Sequence, residues 1–219
     1  MRKNLLTNGE LYHIVTKSIA NFCIFNDNDE FSRMMNLLRY YQIDNNLRYS
    51  DFIELKFVEK VGFETAFNSI TKGKKEIVKI ITYCLMPTHP HLILKQQTDH
   101  GISIYMSNIL NSYTKYFNIK HKRKGPLWES EFKNIRVKND EQLLHLTRYI
   151  HLNPSTAQLV NKPEHWPFSS YKEYLSETDT SLTEYNDILE ISPVPYRKFV
   201  NNRISYQREL AKIKNLIIE

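Results

Sequence analysis

The sequence predicts an α+β domain, in which helices pack on one face of an antiparallel sheet. Two observations carry this prediction: apolar runs that alternate with the period of a strand, and longer segments whose apolar residues recur with helical spacing. Their order along the chain is strand, helix, strands, helix, strand, helix, which is compatible with an α+β sandwich. The 219 residues, of which 41% are hydrophobic, suffice for one domain of ordinary size and an appendage.

The first half of the chain supplies three of the predicted strands and one helix. Residues 11 to 25 form a predicted strand with a turn or bulge before Asn21, and residues 26 to 28 cap a helix that runs to Tyr41. Two further strands are predicted at 76 to 86 and 89 to 95. Residues 44 to 75 are hard to interpret: 52 to 61 fit a strand or a helix, and the segment is taken as an insertion.

The second half supplies a long amphipathic helix at 102 to 117, a strand at 131 to 137 and a second helix. That helix begins at Asn139, a favoured N-cap residue, with Gln142 three residues later. It is predicted to end at Asn153, because Pro154 disfavours a helical conformation in the residue before it. A C-terminal helix is predicted from about 195 to 217, with an imperfect apolar stripe at Phe199, Ile204, Leu210, Ile213 and Ile217.

His89 and His91 are the most informative residues of the chain. They lie two residues apart in an extended apolar run, so both side chains point to the same face of the predicted strand. Two imidazoles on one face can converge on a metal ion. The alternative is that both rings are merely hydrogen-bonded in a half-buried sheet.

A second group of candidate residues lies on the helix that follows Asn139. Tyr149 and Asn153 are four residues apart, hence neighbours on one helical face, so a phenol and an amide oxygen would be presented together. His145 lies four residues before Tyr149 and is a possible auxiliary residue, either as a ligand or as a base for the phenol. Tyr113 and Tyr116 are rival nucleophiles, although their spacing fits a buried stripe better.

This combination of groups suits phosphoryl chemistry. A phenol has a reference pKa near 10, so it is a poor nucleophile until a metal or a base lowers the cost of deprotonation. A divalent cation held by two imidazoles and an amide keeps open positions that can take a phosphate oxygen. Attack by Tyr149 on a DNA phosphate would store the phosphoester energy in a covalent link, and a hydroxyl could then rejoin the strand without ATP.

Four blocks of this sequence resemble the single-tyrosine transposases of the HUH (His-hydrophobic-His) nuclease superfamily, and among them the REP-associated tyrosine transposases. They occur in the family's order and cover about residues 10 to 175. The blocks are Met86-Pro87-Thr88-His89-Pro90-His91-Leu92, Lys124-Gly125-Pro126-Leu127-Trp128-Glu129-Ser130-Glu131-Phe132, Tyr149-Ile150-His151-Leu152-Asn153-Pro154 and Trp166-Pro167-Phe168-Ser169-Ser170-Tyr171.

The resemblance implies an RRM-like (ferredoxin-like) fold with a C-terminal helical extension. It makes His89 and His91 metal ligands, Tyr149 the nucleophile and Asn153 the third ligand. It further implies a mobile-element transposase that acts on single-stranded or hairpin DNA, uses Mg²⁺ or Mn²⁺ and forms a 5′-phosphotyrosine intermediate. One departure is Pro90, where relatives usually have Val, Ile, Met or Phe; a proline there requires an edge or a bulge.

The charge distribution favours a polyanionic partner. The formal net charge is +6 and the pI is near 9.1. Basic residues concentrate between 115 and 138 and alternate with aromatic residues, as a groove for single-stranded DNA requires. The alternative is a solvated helix end and hairpin, with the aromatic residues in the core. The predicted DNA-binding residues are Lys115, Lys120, Lys122, Arg123, Lys124, Arg136 and Lys138.

The predicted domain organisation is a transposase domain at 1 to 175, with the possible insertion at 44 to 75, and a C-terminal extension at 176 to 219. Residues 173 to 190 contain six acidic residues and no Lys or Arg, so this segment should face away from nucleic acid. The end of the chain is basic again, at Arg197, Lys198, Arg203, Arg208, Lys212 and Lys214 against Glu209 and Glu219. Its helix either grips DNA or docks on the core with a basic outer face.

Composition argues against a secreted or membrane protein. The two cysteines, Cys23 and Cys84, imply no disulfide framework and favour a reducing cytoplasm. No apolar run approaches a membrane span, and the N-terminus lacks a signal-peptide core. Three functions remain open: a DNA-cleaving and strand-transferring transposase, a hairpin-DNA binding protein that no longer cleaves, and a hydrolytic metal enzyme. A homodimer is possible.

Overall fold

The structure is a computed structural model that describes residues 5–44 and 47–218, with the side chains of the last helical turns left aside. Within these residues, four strands form one antiparallel sheet: β1 (Leu11–Val15), β2 (Val78–Met86), β3 (His89–Gln96) and β4 (Lys133–Val137). Their order across the sheet is β2-β3-β1-β4. The predicted C-terminal apolar positions Ile213 and Ile217, and the charged residues Lys212, Lys214 and Glu219, lie outside the described side chains.

Helices connect and cover the strands. Single-turn 3₁₀ helices lie at Ile19–Asn21 and Pro163–His165. No helix among the described residues combines the length and the apolar character needed to cross a membrane. In chain order the α-helices are α1 (Asn28–Tyr40), α2 (Tyr49–Ile53), α3 (Lys56–Val61), α4 (Phe63–Thr71), α5 (Gly101–Lys120), α6 (Asp140–Thr156), α7 (Tyr171–Tyr174), α8 (Pro193–Asn201) and α9 (Ile204–Ile218).

The two faces of the sheet bury two different cores. Tyr12 and Ile14 of β1, with Leu92 and Leu94 of β3, pack with α1 and α5, and we call this side the α5 face. Ile93 and residues of β2 pack with α6 and α8, and we call this side the α6 face. The prediction placed helices on one face only; the structure retains the α+β antiparallel fold and covers both faces, because α6 and the C-terminal helices return across the second one.

The first predicted strand is shorter than expected. β1 ends at Val15, and the chain continues through Ser18, which pairs with Trp128, into the 3₁₀ turn. Ala20 and Asn21 have φ values of 50° and 54°, so the turn expected before Asn21 uses left-handed backbone that interrupts a strand. The turn before Asn21 is therefore present, whereas the predicted strand reaches only Val15 and does not resume before residue 25.

Residues 49 to 71 form the three short helices α2, α3 and α4, which resolves the ambiguity between strand and helix. Tyr49 of α2 packs edge-on against Tyr40 of α1, and Phe52 of α2 packs against the same ring at a tilt. Phe67 of α4 also contacts Tyr40. The segment thus extends the core of the α5 face. Residues 45 and 46 lie outside the described part of the chain.

Helix α6 begins as predicted and ends later. The Oδ1 atom of Asn139 accepts from the Gln142 N–H at 2.8 Å, and the Gln142 side chain accepts from the Lys138 N–H. Pro154 lies inside the helix, which continues to Thr156. The carbonyl of Asn153 still accepts from the Ala157 N–H, so the helix continues past the proline and the predicted end at Asn153 was wrong.

The outer edge of β2 is covered by the Trp166 motif. The Leu85 N–H donates to the Phe168 carbonyl, and the Ser170 N–H donates to the Tyr83 carbonyl. Trp166 donates from its indole nitrogen to the Leu85 carbonyl at 3.0 Å. Phe168 stacks on Phe31 of α1, with ring centroids 3.9 Å apart. The motif therefore satisfies edge groups that would otherwise be open to another strand.

The predicted C-terminal helix is two helices, α8 and α9, separated at residues 202 and 203. Arg208 of α9 donates to the carbonyls of Ser155, Val160 and Asn161, which follow or belong to the last turn of α6. A guanidinium at a helix C-terminus is favourable because the carbonyls there lack intrahelical donors. The helix therefore docks on the core through one of its basic residues.

A buried histidine holds helix α6 in place against the sheet through two hydrogen bonds. His151 bonds through Nε2 to the Ser170 hydroxyl at 2.8 Å and through Nδ1 to the Tyr196 hydroxyl at 2.7 Å. The Ser170 hydroxyl also donates to the Tyr83 carbonyl, so the pattern fits an imidazole protonated at Nε2. Burial lowers the pKa of His151 to about 3, which keeps the ring neutral.

We predict that His151→Ala lowers the free energy of unfolding by about 3 kcal/mol, because two buried hydroxyls lose a partner and a cavity opens. Urea unfolding followed by circular dichroism measures the change. The control is His165→Ala, at an exposed position, for which the change should stay within about 0.5 kcal/mol. Equal stability of the two variants would contradict the role given to His151.

Candidate active site

The paired histidines lie at the start of β3 and converge. The Nε2 atoms of His89 and His91 are 3.1 Å apart. Two nitrogen ligands about 2.1 Å from one metal, at tetrahedral to octahedral angles, are separated by roughly 3.0 to 3.4 Å. The observed spacing therefore suits two ligands of a single ion.

Pro90 lies in β3 just beyond the end of the ladder with β1, and β3 has no bulge at that position. Leu85 of β2 is its cross-strand partner, and the Leu85 N–H points away from β3 to the Phe168 carbonyl. The pair Leu85 and Pro90 is therefore a non-hydrogen-bonded pair, and no donor is missing on that side. On the other side the pairing with β1 ends at His91. The missing N–H of Pro90 therefore falls at a local edge of β3, as the sequence predicted.

Each of the two imidazoles has a hydrogen-bond partner at its Nδ1 atom. For His89 the partner is the Thr88 hydroxyl at 2.8 Å, and for His91 it is the Nε2 atom of His13 at 3.2 Å. Donation from Nδ1 in both rings leaves both Nε2 lone pairs facing the same point. His13, on β1, stacks on His91 with centroids 5.4 Å apart.

Burial keeps the three rings neutral. It lowers the pKa of His13 to about 4 and, together with the positive charge of Lys17, lowers the pKa of His89 to about 4. The pKa of His91 falls well below its ordinary value, through burial first and then through the charges of the neighbouring histidines and Lys17. Neutral imidazoles have the lone pairs that metal ligation needs.

Tyr149 lies over His91. The phenol ring meets the imidazole edge-on, with centroids 6.0 Å apart, and the side chain is 42% exposed. Its partial burial raises the pKa of the phenol, so Tyr149 is protonated at neutral pH. The side chain is thus both accessible to a large substrate and adjacent to the histidine pair.

Asn153 completes the same cavity. It lies one turn after Tyr149 on α6, and its Nδ2 atom is buried without a partner among the described residues. An amide with an unmet hydrogen-bonding requirement points to a polar occupant. The cavity, of about 360 Å³, is lined by Met86, His89, His91, Tyr149, Asn153, Thr156, Ala157, Gln158, Arg208 and Ala211.

The other predicted candidates lie elsewhere. His145 bonds to Arg148 at 2.8 Å and packs against Phe199 of α8, and among the described residues it does not line the cavity. Tyr113 is buried and donates to the Ile24 carbonyl. Tyr116 lies on α5, under the guanidinium of Arg33. Neither rival phenol belongs to the cavity of the described residues.

Several of the predicted DNA-binding cations have partners inside the protein. Lys120 pairs with Asp27 at 2.7 Å and Glu30 at 3.1 Å, and Arg136 pairs with Glu10 at 2.6 Å. Arg123 donates to the Asn118 side chain and the Pro126 carbonyl. The exposed cations at the end of α5 and after β4 are Lys115, Lys122, Lys124 and Lys138.

Comparison with known proteins bears on these groups. Residues 56–153 match the model of a protein family described as IS200-like transposases. A REP-associated tyrosine transposase of Haemophilus influenzae is 23% identical over 101 residues, which are 42% of this chain and 57% of that protein. The resemblance predicted from the motifs is confirmed.

Solved structures show the fold of this relative of the IS200-like transposases. A REP-associated tyrosine transposase bound to a REP hairpin superposes with a TM-score of 0.53 at 13% identity, over 88% of this chain and 95% of that one. The predicted α+β fold is therefore confirmed. A transposase from Deinococcus radiodurans covers 68% of this chain and 95% of its own at 14% identity, and its TM-score of 0.36 is too low for a conclusion.

Sequence reasoning missed His13 and Lys17, and it counted Lys133 only among the basic residues between 115 and 138. His13 lies behind His91, the charge of Lys17 reaches both histidines, and Lys133 of β4 faces the same side as His13. Strand alternation at Tyr12 and Ile14 already placed His13 on the opposite face from those residues. The pairing of β1 with β3, which brings His13 to His91, is a long-range contact that a single sequence does not display.

Proposed function

We propose that this protein is a metal-dependent, single-stranded DNA transposase that cleaves and rejoins DNA through a covalent 5′-phosphotyrosine intermediate at Tyr149. The observation that supports it best is the Tyr149 phenol lying over His91, beside two converging Nε2 atoms. Motif order and the family match support the same function from the sequence.

The donor set fits a divalent cation. Nε2 of His89, Nε2 of His91 and the side-chain oxygen of Asn153 would hold it, and Mg²⁺ or Mn²⁺ are the metals that the resemblance implies. Among the described residues no group of three His, Cys, Asp or Glu side chains could hold a metal ion, and the proposed third ligand is the Asn153 amide. When bound, the cation would polarise the scissile phosphate and neutralise developing charge.

Tyr149 supplies the nucleophile. Its phenolic oxygen forms a bond to phosphorus as the phenolic proton leaves, and the bond from phosphorus to the 3′ oxygen breaks to give a 3′-hydroxyl. Burial raises the pKa of the phenol, so Tyr149 carries its proton before it attacks. Because the phosphodiester is conserved as a phosphotyrosine, a DNA hydroxyl can reverse the step and join a strand.

The phenol and both histidines belong to one chain, so a second copy is not required to complete the cavity. A homodimer stays a prediction. We also retain the proposed division into a transposase domain at 1 to 175, with an insertion at 44 to 75, and an extension at 176 to 219. Tyr196 of this extension bonds to His151, which packs the two parts together.

Hairpin DNA is the proposed substrate. A hairpin is bound in the structurally similar REP-associated transposase, and this chain offers exposed cations at Lys115, Lys122, Lys124 and Lys138. The second candidate function, a hairpin-binding protein that does not cleave, makes use of the same cations. It differs in requiring no contribution from the Tyr149 hydroxyl.

We predict that Tyr149→Phe abolishes the covalent adduct with a 5′-tailed hairpin oligonucleotide, because only the attacking oxygen is removed. Binding of the oligonucleotide should change less than about twofold. Adduct is measured by denaturing gel electrophoresis in Mn²⁺, and binding by fluorescence anisotropy.

The matched control is Tyr116→Phe, since this rival phenol lies on α5 and outside the cavity of the described residues. It should form adduct as the wild type does. Adduct from Tyr149→Phe would identify another nucleophile, whereas tight binding without adduct in the wild type would favour the non-cleaving function.

We predict that His89→Ala and His91→Ala each abolish Mn²⁺ binding, and that His13→Ala weakens it about 10- to 100-fold by releasing the His91 ring. Isothermal titration calorimetry measures the affinity directly, without DNA. Chelation of the metal should abolish adduct and leave hairpin binding in place.

His145→Ala serves as the control for these histidine variants, because this exposed ring bonds to Arg148. Its Mn²⁺ affinity should equal that of the wild type. Unchanged Mn²⁺ affinity in both His89→Ala and His91→Ala would show that the proposed mechanism uses no metal at this site. Unchanged affinity in His13→Ala would show that His13 only packs against His91 and does not orient it. His13→Gln, which can still accept from Nδ1 of His91, should recover part of the affinity.

A further inference from the structure

We propose that the uncovered half of the α6 face binds the single-stranded DNA segment adjacent to the scissile phosphate. We call this surface the β1–β4 track, and it consists of Val15, Lys17, Lys133 and Ile135. The inference rests on the proposed function and specifies which part of the chain contacts the strand to be cleaved.

Strand register places these side chains on the side of the histidines. Ile135 is the cross-strand partner of His13, and Lys133 is the partner of Val15. Directly paired residues of antiparallel strands point to the same face. His13 in turn bonds to His91, over which Tyr149 lies. A continuous surface therefore leads from Tyr149 across the sheet to β4.

The helix covers only part of this face. Val137, at one end of β4, is buried in the core that packs with α6. Two positions earlier, Ile135 is 55% exposed, and Val15 is half-buried. An aliphatic side chain exposed on a sheet face between buried neighbours offers apolar area to a ligand. Unstacked bases present flat apolar faces that suit such a surface.

The cations of the track face solvent. Lys17 and Lys133 are exposed, and neither forms an ion pair within the described residues. The Ser18 N–H donates to the Thr88 carbonyl, which places the neighbouring Lys17 beside the segment that leads into His89. Arg136 differs from these two lysines in its position and in its pairing. Its side chain lies on the opposite face of β4, and it forms an ion pair with Glu10.

Acidic residues are held at the far edge of the sheet. The Glu184 N–H donates to the Ile80 carbonyl of β2, and the Glu184 carboxylate pairs with Lys79 at 2.6 Å. Because β2 and β4 are opposite edges, the acid-rich segment lies across the sheet from Lys133. A phosphate backbone is thus attracted more to the β4 side of Tyr149, where Lys133 is exposed, than to the β2 side.

The test compares variants of residues on the two faces of β4. Lys133→Ala should weaken binding of a fluorescein-labelled single strand, carrying the flank of the hairpin without its stem, about three- to tenfold. It should also reduce the slope of log affinity against log salt by about 0.7, since one phosphate contact is lost. Arg136→Ala, the matched control on the same strand, should change the affinity less than twofold.

A second pair of variants tests the apolar contact. Ile135→Ala should weaken single-strand binding about fivefold at every salt concentration, because no charge is removed. Ile104→Ala is the control, since Ile104 is 39% exposed on α5 and belongs to the layer of the other face. All four substitutions alter exposed side chains, and equal melting temperatures would confirm that the fold is intact.

The outcomes separate this inference from the proposed function. If the wild type forms adduct while Lys133→Ala and Ile135→Ala bind the single strand as it does, the β1–β4 track is wrong and the transposase proposal stands. If the wild type binds no single strand at all, both fail. If Ile135→Ala instead alters self-association in sedimentation velocity and leaves DNA binding unchanged, the surface is a protein interface and the inference is overturned.

Discussion

The placement of α6 on the sheet is the constraint on which the candidate site depends. Tyr149 and Asn153 approach the β3 histidines only because α6 lies across β2 and β3, and His151 holds it there by bonding to Ser170 and Tyr196. Those two bonds connect the helix to the segment on the β2 edge and to α8. A histidine that takes no part in the proposed chemistry therefore determines where the phenol lies.

Of the four sequence blocks, some supply the groups of the candidate site and others stabilise the fold. The histidine block and the tyrosine block supply the groups of the cavity. The Trp166 block instead closes the β2 edge through Leu85 and Tyr83, and Trp128 donates its indole N–H to the Leu110 carbonyl and the Thr114 hydroxyl of α5. Aromatic residues that composition alone would assign to base stacking are thus partly used in packing.

Local patterns predicted the features that depend on local geometry. The spacing of His89 and His91, the pairing of Tyr149 with Asn153 and the Asn139 cap follow from periods of two and 3.6 residues, and the structure has each of them. Features set by register were not predictable in this way. Whether Lys133 or Arg136 faces the histidines depends on which residues of β1 they oppose, and the partnership of His13 and His91 depends on the same alignment.

Pro90 restricts the conformations of the histidine pair before any ligand arrives. Its ring fixes its own φ, and it confines His89 to extended backbone, so the segment between the two imidazoles has few alternatives to the native geometry. A metal that joins His89 to His91 consequently has little chain entropy left to remove there. An aliphatic residue in place of Pro90 would leave this backbone freer, so the proline preorganises the two imidazoles for the proposed ion.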